Sequence, residues 1–117
     1  AFGMFDNYLS LEKANQNLDT LYVIGGGSQN DKWLEMIATL IQKKLTITED
    51  SSSMAAFGAA RIALIGNNNS NLNEVISKPP IVKTISPNFD KYEILSKRFQ
   101  LWKKIYETNK PLAPSLS

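Results

Sequence analysis

Apolar residues along this chain recur either every three and four positions or in short unbroken runs, and the two patterns predict its elements. Phe2, Phe5, Tyr8 and Leu9 share one side at helical spacing, and Asn15-Gln16-Asn17 ends that run. The stretch Thr20-Leu21-Tyr22-Val23-Ile24 is short and apolar throughout, the pattern of a strand buried on both faces. Over 31–43 a second helix turns Trp33, Ile37, Leu40 and Ile41 inward. Asp31 lies in its first turn and Lys43 and Lys44 at its far end, the signs that the helix dipole favours. Leu45-Thr46-Ile47-Thr48 alternates and is rich in β-branched residues, which predicts a strand. Glu49-Asp50-Ser51-Ser52-Ser53 reads as a polar turn, with Ser52 or Ser53 able to cap the next helix. That helix, over 54–65, is built from small residues: Ala55, Ala56, Gly58, Ala59, Ala60 and Ala63. Gly66 and the asparagines behind it stop it. Residues 67–88, with Pro79-Pro80 and Pro87, read as a surface loop with one helical turn near 73–76. The last helix covers about 90–108, where Tyr92, Leu95, Phe99, Trp102 and Tyr106 form one apolar stripe. Residues 109–117 read as a frayed tail.

The order helix, strand, helix, strand, helix, loop, helix implies an α/β fold: two parallel strands with crossover helices plus a long C-terminal helix. Two strands are too few for an independent sheet. The missing strands are expected from residues upstream or from a partner chain. The opening Ala1-Phe2-Gly3-Met4-Phe5 reads as the middle of an apolar helix, so residues 1–117 are expected to form a single partial domain of a longer protein.

Composition narrows the chemistry more than it suggests it. With 117 residues, 43% hydrophobic and 21% charged, the chain is ordinary for one small globular unit. Thirteen Lys and Arg against 11 Asp and Glu leave a net charge of +2, too thin a margin to argue for nucleic acid. There is no cysteine and no histidine. Disulfides, thiolate metal sites, histidine triads and nearly all zinc chemistry are therefore out of reach. No apolar run approaches the ~20 residues that span a bilayer, and the start lacks the pattern of a signal peptide. A reducing cytoplasm fits this best.

The candidate chemistry sits at the first strand's end. There Ile24-Gly25-Gly26-Gly27-Ser28-Gln29-Asn30-Asp31 leads from the strand into the second helix. Three glycines let the backbone approach a ligand and adopt torsions other residues avoid. The helix that follows aims unpaired N–H groups and a positive dipole end back at the loop. This arrangement suits the phosphates of a nucleotide.

The run Val23-Ile24-Gly25-Gly26-Gly27-Ser28-Gln29-Asn30, then Trp33 and Met36-Ile37-Ala38, then Ala55-Ala56-Phe57-Gly58-Ala59-Ala60-Arg61-Ile62-Ala63 resembles the FGGY carbohydrate kinases over nearly the whole chain. The resemblance is to the C-terminal part of their C-terminal, actin-like (ribonuclease H-like) domain. The closing helix, with Tyr92, Phe99 and Ile105-Tyr106, is most similar to the xylulokinases among them. The resemblance implies transfer of the γ-phosphoryl group of ATP to a sugar hydroxyl, with D-xylulose favoured as the sugar, and ATP and Mg²⁺ as cofactors of the full-length enzyme. It implies that Gly25, Gly26, Gly27, Ser28, Asn30 and Asp31 line the ATP site. Gly26 and Gly27 would approach the phosphates and Ser28 would lie beside the nucleoside. Asp31 falls where glycerol kinases have an asparagine near the adenine; as a carboxylate it can only accept hydrogen bonds. The helix of small residues would pack tightly under the loop. Ser53-Met54 stands where many relatives have Glu-Gly, and Phe57 where they have leucine. The family's catalytic aspartate and sugar pocket lie upstream, so no residue here is assigned a catalytic role and the isolated chain is expected to be inactive.

Other readings stand beside this one. A dinucleotide-binding Rossmann loop would need a glycine at position 30, which is Asn30, although Glu49 and Asp50 lie near the distance at which that fold places its acidic residue. A non-catalytic module associating with other chains, further copies of itself included, would use the uncovered sheet edge. Trp33 at its helical phase is better read as core than as a stacking platform. Lys97-Arg98 and Lys103-Lys104 are interleaved with Glu93 and Glu107, the pattern of a solvated helix face rather than a nucleic-acid patch.

Overall fold

The protein is described from a computed structural model, which defines residues 1–14, 18, 20–67, 75 and 78–112, with the side chains of Tyr106 and Leu112 left out. The elements run α1 (Phe2–Lys13), β1 (Leu21–Val23), α2 (Asp31–Ile41), β2 (Leu45–Thr48), α3 (Met54–Gly66), β3 (Ile81–Ile85) and α4 (Tyr92–Asn109). Short 3-10 turns over Gly26–Gln29, Ser51–Ser53 and Phe89–Lys91 lead into α2, α3 and α4. The helix end predicted at 15–17 lies outside the described residues. So does the turn predicted near 73–76, apart from Val75, which is helical.

The sheet has the order β1-β2-β3. As the pattern predicts, β1 and β2 are parallel, with Leu21, Tyr22 and Val23 opposite Leu45, Thr46 and Ile47. The correction is β3: part of the segment read as a surface loop is an antiparallel strand, with Ile85 opposite Leu45 and Lys83 opposite Ile47, irregular between Ile47 and Thr48. Flanking prolines obscure it in the sequence, yet a strand at a sheet edge tolerates proline next to it. Four of its five residues are exposed. β2, the central strand, is buried throughout. β1 departs from its expected double burial: Tyr22 is 49% exposed while its neighbours are half-buried.

The core gathers on one side of the sheet. Leu34, Ala38 and Leu40 of α2 are almost fully covered and meet Leu45 and Ile47 of β2, Phe5 and Tyr8 of α1, and Leu95 and Phe99 of α4. α1 and α4 lock together through rings: Phe99 meets Phe5 edge-on at 4.7 Å between centroids and stacks near Trp102 at 5.8 Å. The inward positions predicted for α2 are those observed, with Leu34 added to them; on α4 Leu95 and Phe99 are buried and Tyr92 and Trp102 half-buried, while the Tyr106 side chain lies outside the described residues.

α3 departs from expectation. None of its residues is buried, and a Cβ at Gly58 would meet nothing within 4 Å. Among the described residues nothing packs closely on the helix at Gly58, so a Cβ there would not be crowded.

Polar contacts close the gaps between elements. Lys43 lies beyond the end of α2, where its Nζ donates to the Leu18 carbonyl at 2.8 Å and lies 5.9 Å from the centre of the Tyr8 ring. The residue that ends α2 is Gln42, in the left-handed region at φ 55°. Glycine occupies that region without steric cost, so Gln42→Gly is expected to raise stability by roughly 0.5–1 kcal/mol, read from the denaturation midpoint. On the other side of α2, Lys91 and the Asn88 side chain donate to the Glu35 carboxylate at 2.6 and 3.3 Å. The Asn88 N–H donates to Thr39 Oγ1 at 3.0 Å. These contacts tie α2 to the start of α4. The Lys91 hydrogen bond, then that of Asn88, then the Lys91 charge hold the Glu35 carboxyl below its ordinary value. Its contribution to stability is thus present above the unfolded carboxyl's titration and is lost as pH falls through the lower folded value. Glu35→Gln is expected to flatten the acid side of a plot of unfolding midpoint against pH, with little change at neutral pH beyond the lost pair.

Candidate functional site

The turn after β1 is built by its glycines and braced from a second turn. Gly25 sits at φ 86°, a conformation that L side chains avoid, and swings the chain out of the sheet. Its N–H donates to the Ser51 carbonyl at 2.7 Å. The Ser28 N–H closes the turn on the Gly25 carbonyl at 3.0 Å, and the Asn30 N–H donates to that of Gly27 at 3.1 Å. The amides of Gly26, Gly27, Asp31 and Lys32 have no acceptor among the described residues. Two stretches of free donors thus flank one short turn, the second at the N-terminus of an 11-residue helix.

The three glycines do different jobs. Gly25 supplies the torsion. At Gly27 a Cβ would come within 2.8 Å of Trp33 Cζ3, so this glycine makes room for an indole. At Gly26 a Cβ would meet nothing within 4 Å, and the residue is exposed. Gly26 and Gly27 are both exposed, and of the two only Gly26 has room for a side chain. Trp33 is half-buried against the core, as its helical phase predicts, and one ring edge closes over Gly27. Below the pair, Tyr22, Leu21, Leu11 and Met4 continue an apolar groove of about 480 Å³ along β1.

The remaining predicted site residues have partners within the chain. Ser28 is 5% exposed and its hydroxyl accepts a hydrogen bond from Ser51 Oγ at 2.9 Å. Asn30 is the N-cap of α2: its Oδ1 accepts from the Trp33 N–H at 3.1 Å. The cap signal, an asparagine just ahead of the apolar period, is visible in the sequence beside the first-turn Asp31. Asp31 is exposed and pairs with Lys83 of β3. That pair brings a cation from the unforeseen strand to the mouth of the turn. Among the described residues no three or more carboxylates or histidines gather as a metal site. No helix among them is long and apolar enough to cross a membrane.

Residues 1–66 match the FGGY family of carbohydrate kinases, in its C-terminal domain. The chain belongs to that family. Relatives of this FGGY chain include the xylulose kinase of Bacillus subtilis (strain 168), 28% identical over 98% of the chain and 23% of the relative. The xylulose kinase of Escherichia coli (strain K12) is 28% identical over 77% of the chain and 19% of that protein. Among solved structures, a xyloylose kinase from Brucella ovis superposes with a TM-score of 0.77 over 95% of the chain and 23% of that structure, at 30% identity. The fold is thus that of a piece of the actin-like ATPase architecture, and the chain spans about a quarter of the length of the relatives it matches. A Rossmann dinucleotide fold is set aside by this match.

Proposed function

We propose that this FGGY chain is the nucleotide-contacting part of an ATP-dependent sugar kinase, and that the sugar is D-xylulose. The observation that carries the reading is the turn at residues 25–28, which leaves the amides of Gly26 and Gly27 without acceptors and the space above Gly26 open. An anionic phosphate is the natural complement of such amides at the approach to a helix N-terminus. The choice of sugar leans on the two xylulose kinase relatives. In this reading Gly25 shapes the site and Ser28 and Asn30 hold it, while Asp31, neutralised by Lys83, lies at its rim. ATP brings Mg²⁺ with it; the polyphosphate and residues beyond this chain would hold the ion. The chain acts in the cytoplasm, its partners being an adenine nucleotide and, through other regions, a sugar, with no role for nucleic acid.

Phosphoryl transfer depends on positioning and on charge stabilisation. The donors here serve the first need, and no carboxylate of the chain stands in the motif of the family's base. The 117 residues alone are therefore expected to bind ATP weakly and to give no sugar phosphate from ATP and D-xylulose. The test is a titration of ¹⁵N-labelled chain with ATP, with NAD as control. The Gly26 and Gly27 amide resonances should move first and most with ATP, and Gly26→Val should abolish the movement while leaving the unfolding midpoint unchanged. Resonances that stay put, or turnover by the isolated chain, would count against the reading.

A further inference from the structure

Ser51 lies 23 residues beyond Ser28, in a different turn, yet it touches both flanks of the Gly26–Gly27 pair. Its carbonyl accepts the Gly25 N–H at 2.7 Å and its hydroxyl donates to Ser28 Oγ at 2.9 Å. Both serines are buried, at 5% and 8% exposure, and no buried side-chain polar atom among the described residues is left without a partner. The turn that carries Ser51 is itself set firmly. Asp50 ahead of it takes the left-handed region at φ 54°, the Ser53 N–H returns to the Asp50 carbonyl at 2.8 Å, and the Glu49 N–H donates to the Pro80 carbonyl at 2.9 Å. Aspartate is one of the few side chains that tolerate that torsion.

We propose that Ser51 is the positioning residue of the nucleotide turn: by gripping Gly25 with its carbonyl and Ser28 with its hydroxyl, it fixes the direction of the two free amides between them. This rests on the reading of the turn as an ATP site, which concerns Gly26 and Gly27 and gives Ser51 no part. A 3-10 turn of four residues has few bonds of its own, so its orientation must come from outside it. The second consequence is coupling. Because Ser51 opens the turn into α3, a movement of α3 would reach the phosphate-facing amides through the Ser51 carbonyl and hydroxyl contacts.

Ser51→Ala removes the hydroxyl and leaves the carbonyl contact. In the ligand-free ¹⁵N-labelled chain it is expected to shift the Gly26 and Gly27 amide resonances and to speed hydrogen exchange at Gly25 and Ser28 relative to mid-α2 amides. ATP affinity should fall about three- to tenfold, the range one hydrogen bond commands. The double variant Ser28→Ala/Ser51→Ala leaves no orphan hydroxyl, so its unfolding midpoint should recover while its ATP affinity stays low. Ligand-free resonances of Gly26 and Gly27 that do not move in Ser51→Ala would overturn the proposal. So would an ATP affinity that recovers in the double variant, since the pair would then only satisfy itself. If the wild-type chain gives no ATP-dependent shift at all, the nucleotide reading falls, and the ligand-free resonances still judge the clamp.

Discussion

Phe99→Ala is expected to cost about 3–5 kcal/mol, a large part of what a domain of this size has to spend. Phe99 is 2% exposed and sits where three rings converge: Phe5 edge-on at 4.7 Å, Phe2 at 5.9 Å and Trp102 stacked at 5.8 Å. Truncation loses the transfer energy of the ring, the edge and stacking contacts, and leaves a cavity between α1 and α4 that rigid neighbours cannot fill. The measurement is the urea or thermal midpoint, and the control is on the same helix. Leu101, two positions on, is 60% exposed, and Leu101→Ala should change stability by less than about 0.5 kcal/mol. Equal effects at the two positions would mean that α4 does not dock through this cluster, and would remove the reason for placing α1 and α4 in one core.

That contrast also shows what the chain's pattern could and could not tell. The three-and-four spacing of Leu95, Phe99 and Trp102 marks the buried side of α4 because one helix face meets one core, and periodicity records that directly. β2 was legible for the same reason: its short β-branched run fits a central strand whose two faces are covered. β3 was not, because Ile81 and Val82 stand exposed at an edge, so apolarity there does not report burial, and the prolines on both sides favour a loop reading. β1 looked doubly buried because its residues are apolar; among the described residues nothing covers the face that carries Tyr22, and apolarity alone does not say whether a face is covered. The same holds for α3, whose small residues advertise close packing while none of them is buried among the described residues.

The glycine turn was legible as a place and only partly as a mechanism. Three consecutive glycines announced a special backbone, which Gly25 supplies at φ 86°; that the free amides of Gly26 and Gly27 meet phosphate is the reading proposed above. The division of labour among the three was hidden, since it depends on Trp33 returning from the next helix onto Gly27. Hidden too was the work of Ser28 as half of a buried pair, whereas the cap at Asn30 follows from its place ahead of the apolar period. Contacts between residues 23 apart leave no local trace, and Ser28–Ser51 is one of these.

Gly27→Ala is expected to be the most damaging single methyl in the turn, and for a reason unconnected with any ligand. The new Cβ would stand 2.8 Å from Trp33 Cζ3, and 3.4 and 3.5 Å from the next two ring atoms. An indole held against the core cannot bend away at its edge; it must tilt as a whole, disturbing its packing, or the turn must open. Overpacking of this kind costs roughly 1–3 kcal/mol. On the proposed reading ATP affinity would fall as well, because the turn that opens is the one carrying the free amides, so loss of binding in Gly27 variants says little about direct contact. Gly26→Ala separates the two effects: its Cβ meets open space, so it should leave the midpoint within about 0.5 kcal/mol. The compensating pair Gly27→Ala/Trp33→Leu removes the ring that collides and should be more stable than the sum of its parts, a coupling readable in a double-mutant cycle. Additive losses would mean that Gly27 is not glycine on account of Trp33, and the backbone at 27 would then have to be kept bare for something outside the chain.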